Sequence, residues 1–114
     1  MGTLGSREGT FINKLMGIVG LLNIGRVTTV TNTYTILQTD RLIICNKASA
    51  FTLTLPVTMI GRKYSIKNIG AGTVTVDGAG SDTIDGALTK AVVTDACINI
   101  VCYLANKWVV VSDF

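Results

Sequence analysis

Three aspartates, Asp77, Asp82 and Asp85, lie close enough in sequence to meet, and two facing carboxylates are what a glycoside hydrolase needs. Each stands beside a glycine or a small polar residue, with no aromatic cleft residue nearby, so turn geometry accounts for them better than catalysis. General acid–base work at neutral pH has little else to draw on. There is no histidine, the one glutamate is Glu8, and no Ser, Thr or Cys has an imidazole to activate it. The three cysteines have no metal-ligand spacing. Cys97 and Cys102 are five apart, which in one strand puts them on opposite faces, and Cys45 could pair only across strands. Free thiols and a reducing site of synthesis are expected. Gly70-Ala71-Gly72 lies between two strands and opens no helix, so it is not a phosphate cradle. The segment from Gly78 to Ile84 partly matches a calcium-binding β-roll repeat, but it occurs once, and such sites form between consecutive repeats. No catalytic residue, metal site or cofactor is therefore expected.

The elements that would position these residues are short strands. Residues 63 to 86 set the pattern: Tyr64 and Ile66 alternate with Lys63, Ser65 and Lys67, residues 68 to 72 turn the chain, and Val74 and Val76 alternate with Thr73, Thr75 and Asp77. This predicts a β-hairpin with one dry and one wet face. Gly70, Gly72, Gly78, Gly80 and Gly86 are read as structural turn positions. From Val27 to Ile36 the period is also two, giving the longest strand candidate, with Asn32 as a polar conflict on the inward side. Leu42 to Cys45 form a continuous apolar run. Phe51, Leu53 and Leu55 alternate with Thr52 and Thr54 until Pro56, which cannot donate to a ladder. Residues 57 to 62 read as a connection, and Leu88, Val92 and Val93 are apolar candidates for a further strand. Ala96 to Leu104 and Trp108 to Val111 flank a tight turn at 105–107.

Composition adds to this. At 114 residues the chain supports one domain, which buries only about two-thirds of the surface its unfolded form exposes. Charged residues make up 15% and threonines number 16, so the polar faces are built from hydroxyls. The net charge of +3 is dispersed apart from Arg62, Lys63 and Lys67, and no nucleic-acid partner is expected. The terminal strands are apolar on both faces, so something must cover both. Ile98, Ile100, Val101, Tyr103, Trp108, Val109, Val110 and Val111 are the residues expected at a core or subunit interface.

Before Val27 the pattern differs. Phe11, Ile12, Leu15, Met16, Val19 and Leu22 recur at helical spacing, interrupted by Gly17 and Gly20. Residues 1–26 are read as an arm, helical over its apolar part. It would cover its own core, act as an attachment or oligomer contact, or lie on a membrane surface, for which its charge is too sparse. It is too short for a membrane crossing of about 20 residues, and no export signal is convincing. The fold class expected is all-β: a small antiparallel β-sandwich or jelly-roll-like module of about eight short strands over 27–114.

The ordered cues Leu53-Thr54-Leu55-Pro56, Gly61 to Asn68, Gly70 to Val76, Ser81 to Gly86 and Trp108-Val109-Val110 resemble a recurrent module of tailed-bacteriophage virion proteins, found in tail fibres, tail spikes and head-decorating or head-fibre proteins. The resemblance covers about 30 to 114. It implies a non-enzymatic, commonly trimeric β-sandwich-like module assembled into a virion in the host cytoplasm. The partners implied are copies of itself and a major capsid or tail protein. Decoration of the capsid or a short head fibre, anchored by the apolar arm, is the function expected from it. The alternative is a tail-fibre or adhesin component whose outer loops touch a host surface glycan or protein. A cellular β-sandwich binding module is a further reading.

Overall fold

The structure, a computed structural model, describes residues 25–113. The predicted arm and its six apolar contact residues, Phe11, Ile12, Leu15, Met16, Val19 and Leu22, lie outside the described residues, as does Phe114.

Ten strands follow in order: β1 (Arg26–Val30), β2 (Tyr34–Thr35), β3 (Asp40–Cys45), β4 (Phe51–Thr54), β5 (Lys63–Asn68), β6 (Val74–Asp77), β7 (Thr83–Ile84), β8 (Thr89–Val92), β9 (Cys97–Leu104) and β10 (Lys107–Asp113). No helix occurs among the described residues. The strands form two sheets, one ordered β1-β3-β5-β9-β10-β7 and the other β2-β4-β6-β8.

The chain is all-β, but its architecture corrects the antiparallel sandwich or jelly roll expected from the sequence. It is a short β-solenoid. β1, β3 and β5 pair in parallel in the larger sheet, and β2, β4 and β6 pair in parallel in the smaller one. Each successive pair is one coil: the chain runs up one sheet, crosses to the other, and returns one rung along. The predicted hairpin over 63–76 is thus an arch. β5 pairs with β3 and β9, while β6 pairs with β4 and β8, so the two flank a corner and lie in different sheets. The single long strand expected from Val27 to Ile36 is also a corner. It breaks between β1 and β2 at residues 31–33, and Asn32 is exposed there instead of facing inward.

In-register pairing places like residues over like. Ile43, Ile66 and Ile98 form one inner row, and Phe51, Val74 and Val92 form another on the facing sheet. All six are buried, and each aliphatic side chain removed from water contributes on the order of 1.5–3 kcal/mol before entropy costs. Similar side chains in register let successive rungs of these two rows pack directly on one another.

The corners have their own chemistry. Val30, Cys45 and Asn68 are in register at the start of the arches. Asn68 is solvent-inaccessible, and its amide donates to the carbonyls of Gly72 (2.8 Å) and Val92 (2.9 Å) while its oxygen accepts from the Gly70 amide (3.0 Å). An inward polar residue is tolerated because every one of these bonds is made inside. Gly70 and Gly72 sit where adjacent corners touch. A Cβ at Gly72 would lie 2.1 Å from the Ser49 carbonyl carbon, and one at Gly70 would lie 2.4 Å from the Lys47 amide nitrogen. Gly78 is similarly close to Asp82, while Gly80 and Gly86 have positive φ.

The two ends of the stack are closed differently. After the third coil the direction reverses: β8 adds antiparallel to β6, β9 adds antiparallel to β5, and the β9–β10 hairpin predicted around 105–107 forms as expected. β7 then pairs with β10 and comes against β8, with Ile84 and Trp108 buried. At the other end, inner positions that carry Ile43 and Leu53 in the second coil carry Thr28 and Tyr34 in the first. Their hydroxyls bond the buried carboxylate of Asp40 at 2.6 and 2.7 Å. Arg26 pairs with the same carboxylate at 2.9 Å, and the Leu37 amide donates to it at 2.9 Å. Among the described residues no further coil stacks on this one, and the network makes part of its inner face polar.

Candidate assembly surface

The residues expected at a core or interface divide by the pleat. Ile98, Ile100 and Trp108 are buried, and Val110 packs against the core from the same side. Val101 and Val109, paired with each other, are half-buried on the outer face, while Tyr103 (48%) and Val111 (60%) are exposed. The solenoid's own fold shields the inner side of the terminal strands and leaves the outer side partly open.

Among the described residues a large exposed apolar group lies at a corner. Pro56 follows β4, and the loop that leads to β5 presents Val57, Met59 and Ile60, each more than 60% exposed. The loop is fixed in shape. The Arg62 amide closes a turn on the Met59 carbonyl at 2.9 Å, Gly61 takes φ of 91°, and the Arg62 guanidinium donates to the Val57 carbonyl at 2.6 Å. It is also stitched to the end of β9. The Gly61 amide donates to the Cys102 carbonyl and the Cys102 amide to the Arg62 carbonyl, both at 2.8 Å, and the Asn106 amide donates to the Thr58 hydroxyl at 3.0 Å. This brings Val57, Met59 and Ile60 alongside Tyr103 and Leu104, themselves half-exposed. A patch of five large apolar side chains on a pre-ordered scaffold loses little entropy when covered.

A cationic margin borders this patch. Two adjoining depressions share Arg41 and Lys63: one of about 250 Å³ on the outer face of the larger sheet, reaching Ser65, Asn99 and Val111, and one of about 310 Å³ around the corner, reaching Gln38, Ile60 and Arg62. The Ser65 hydroxyl donates to the Asn99 side-chain oxygen, and the Asn99 amide donates to the Ser112 hydroxyl at 2.7 Å.

The groups first considered for chemistry are used structurally. Asp85 has φ of 52° and its carboxylate accepts the Val110 amide at 2.9 Å, tying the β7 turn to β10. Asp82 is buried within its turn, and Asp77 ends β6. Among the described residues no group of His, Cys, Asp or Glu could hold a metal ion. Cys45 and Cys102 are buried free thiols and Cys97 is partly exposed. Burial pushes the Cys45 thiol up to about 12, which keeps it protonated and unreactive.

Sequence reasoning named Tyr103 as a core or subunit-interface residue, and the structure leaves it half-exposed; it did not single out Val57, Met59, Ile60 or the cationic margin. A signal was present. Three large apolar residues within four positions, bounded by Pro56 and Gly61, are too many for a solvated connection and too few for a strand.

No family model matches the chain, and no curated protein matches it. The role drawn from the phage resemblance, capsid decoration or a head fibre anchored by an apolar helical arm, with a tail-fibre component as its alternative, is therefore corrected. The β-sandwich it implied is a β-solenoid, the arm proposed as its anchor lies outside the described residues, and no match ties the chain to a virion.

Proposed function

We propose that the chain is a non-enzymatic structural module that assembles laterally with copies of itself. The observation that carries this reading is the ordered corner patch of Val57, Met59, Ile60, Tyr103 and Leu104. Among the described residues end-to-end stacking is disfavoured, because the first coil is capped by the Asp40 network and the last is closed by β7, β8 and β10. That leaves the side of the stack. A second copy is the occupant favoured here, because a symmetric contact presents the same patch from both sides and low overall charge leaves little to repel it. Full burial of each large apolar side chain supplies on the order of 1.5–3 kcal/mol, from which the cost of association is subtracted.

Light scattering on the full-length chain tests the proposal. The wild type is expected at a multiple of the monomer mass, and Val57→Asn with Tyr103→Asn is expected to shift it to monomer with the unfolding midpoint of the monomer unit unchanged. A wild-type chain that stays monomeric at 100 µM or so, or a double variant that assembles like wild type, overturns it.

A further inference from the structure

We infer that Met59 is a modification site: a peroxide oxidises its thioether to the sulfoxide, and the oxidised side chain closes the corner patch to a second copy. The consequence rests on the self-association proposed for this surface; the chemistry does not. Met59 is the only methionine among the described residues, and it is 62% exposed, between Val57 and Ile60 on the loop. Its sulfur is held in place. Arg62 Nη2 donates to it at 3.7 Å, while Nη1 of the same guanidinium donates to the Val57 carbonyl at 2.6 Å and the Arg62 amide closes the turn on the Met59 carbonyl at 2.9 Å. An unbranched, otherwise mobile side chain is thus fixed on an exposed corner with its one oxidisable atom beside a cation. The thiols compete poorly for the oxidant, since Cys45 and Cys102 are buried and only Cys97 is partly exposed.

The step balances with the peroxide alone. A sulfur lone pair attacks one peroxide oxygen, and the S–O bond forms as the O–O bond breaks. The departing hydroxide takes the proton of the transferred hydroxyl and leaves as water, so sulfur loses two electrons and the peroxide gains them. The new oxygen carries partial negative charge and accepts hydrogen bonds far better than a thioether does, and Arg62 Nη2 is the donor beside it. The guanidinium therefore keeps the polar oxygen on the patch instead of letting it swing aside. Covering the patch then strips water from the S–O dipole and sets it against the aliphatic side chains of Val57, Ile60 and Leu104, which offer it no hydrogen bond. Oxidation acts on the free chain, because a second copy seated on the patch shields the sulfur.

The test treats the full-length chain with hydrogen peroxide, in a Cys97→Ser background that removes the exposed thiol. Peptide mass mapping follows oxygen uptake at Met59, nuclear magnetic resonance follows the Arg62 side-chain N–H signals, and light scattering follows assembly. Met59 should gain one oxygen, the Arg62 signals should move, and association should weaken about tenfold or more. Met59→Leu, which keeps an apolar side chain of similar size, should stay assembled through the same treatment although Met1 and Met16 remain oxidisable. Met59→Gln should reproduce the weakening without peroxide. A Met59 that resists peroxide while Met1 and Met16 react, a sulfoxide that leaves the Arg62 signals and association unchanged, or a Met59→Leu chain that loses assembly as the parent does overturns the inference. A chain that is monomeric before treatment overturns the self-association and the closing of the patch with it, and oxygen uptake and the Arg62 signals then decide the modification site alone.

Discussion

Replacing Asp40 by asparagine should release the polar cap of the first coil while leaving its shape almost unchanged. The carboxylate is solvent-inaccessible and takes five donors. Thr28 Oγ and the Arg26 Nε and Nη2 groups reach Oδ1, and Tyr34 Oη and the Leu37 amide reach Oδ2. An asparagine oxygen serves one set only, and its NH2 group then faces the donors of the other. Tyr34 can turn its hydroxyl away, but the Leu37 amide cannot turn. One hydrogen bond to a charged acceptor is worth about 1.5–3 kcal/mol and an opposed donor adds to the loss, so Asp40→Asn should cost about 2–4 kcal/mol in urea unfolding at pH 7. The pH dependence gives an independent check. Burial alone raises the Asp40 pKa, but the bonds from Thr28, the Leu37 amide, Tyr34 and Arg26 together outweigh it and hold the group below the ordinary carboxylate value. A depressed folded pKa means that the stabilisation is fully present above the unfolded value of about 3.9 and is lost as pH falls through the folded one. The gap between wild type and Asp40→Asn should therefore be constant from pH 7 to about 5 and close in stronger acid. A gap under about 1 kcal/mol at pH 7, or one that persists unchanged to the lowest pH at which both fold, refutes the cap.

Two further outcomes follow from the core. Trp108 is buried with no hydrogen-bond partner for its indole N–H among the described residues, so Trp108→Phe removes an unsatisfied donor along with some volume; it should cost below about 1.5 kcal/mol, against about 3–5 for Trp108→Ala, measured by chemical denaturation. A Trp108→Phe loss above about 3 kcal/mol would refute this reading, since volume alone does not account for it and a bond to the indole N–H would. Thiol labelling at pH 8 should modify Cys97 alone in the folded chain, because Cys45 and Cys102 are buried, and all three once the chain is unfolded; rapid labelling of Cys45 in the folded state would contradict its burial.

Much of the fold was legible from the alternation of side chains, and the part that was not has a physical cause. The inner residues Tyr64, Ile66, Val74, Val76, Leu53, Ile98 and Ile100 could be read directly, because a strand covered on one face shows period two whatever it pairs with. For the same reason alternation cannot separate a sandwich from a solenoid. What separates them is whether the chain, after a turn, pairs back on the strand it left or crosses to the other sheet. At residues 68–72 the glycines suited a hairpin loop, and the choice was made by Asn68, whose inward amide holds the corner from inside.

A solenoid normally betrays itself by a repeat, and here the coils are unequal. Val30 stacks on Cys45, 15 residues on, while Cys45 stacks on Asn68, 23 residues on, so no fixed period survives in the sequence. Part of the added length is the loop between Pro56 and Arg62. A coil needs no such loop to close, as the first coil shows by turning between Ile36 and Thr39. Insertions in stacked repeats collect where they leave the inner rows undisturbed, commonly on a face that meets something else. The loop carries Val57, Met59 and Ile60 outward and spends the Arg62 guanidinium on holding its own shape. The irregularity that hid the solenoid from a sequence reading is thus the same feature that carries Val57, Met59 and Ile60 outward, whereas the first coil closes through the four residues 36–39.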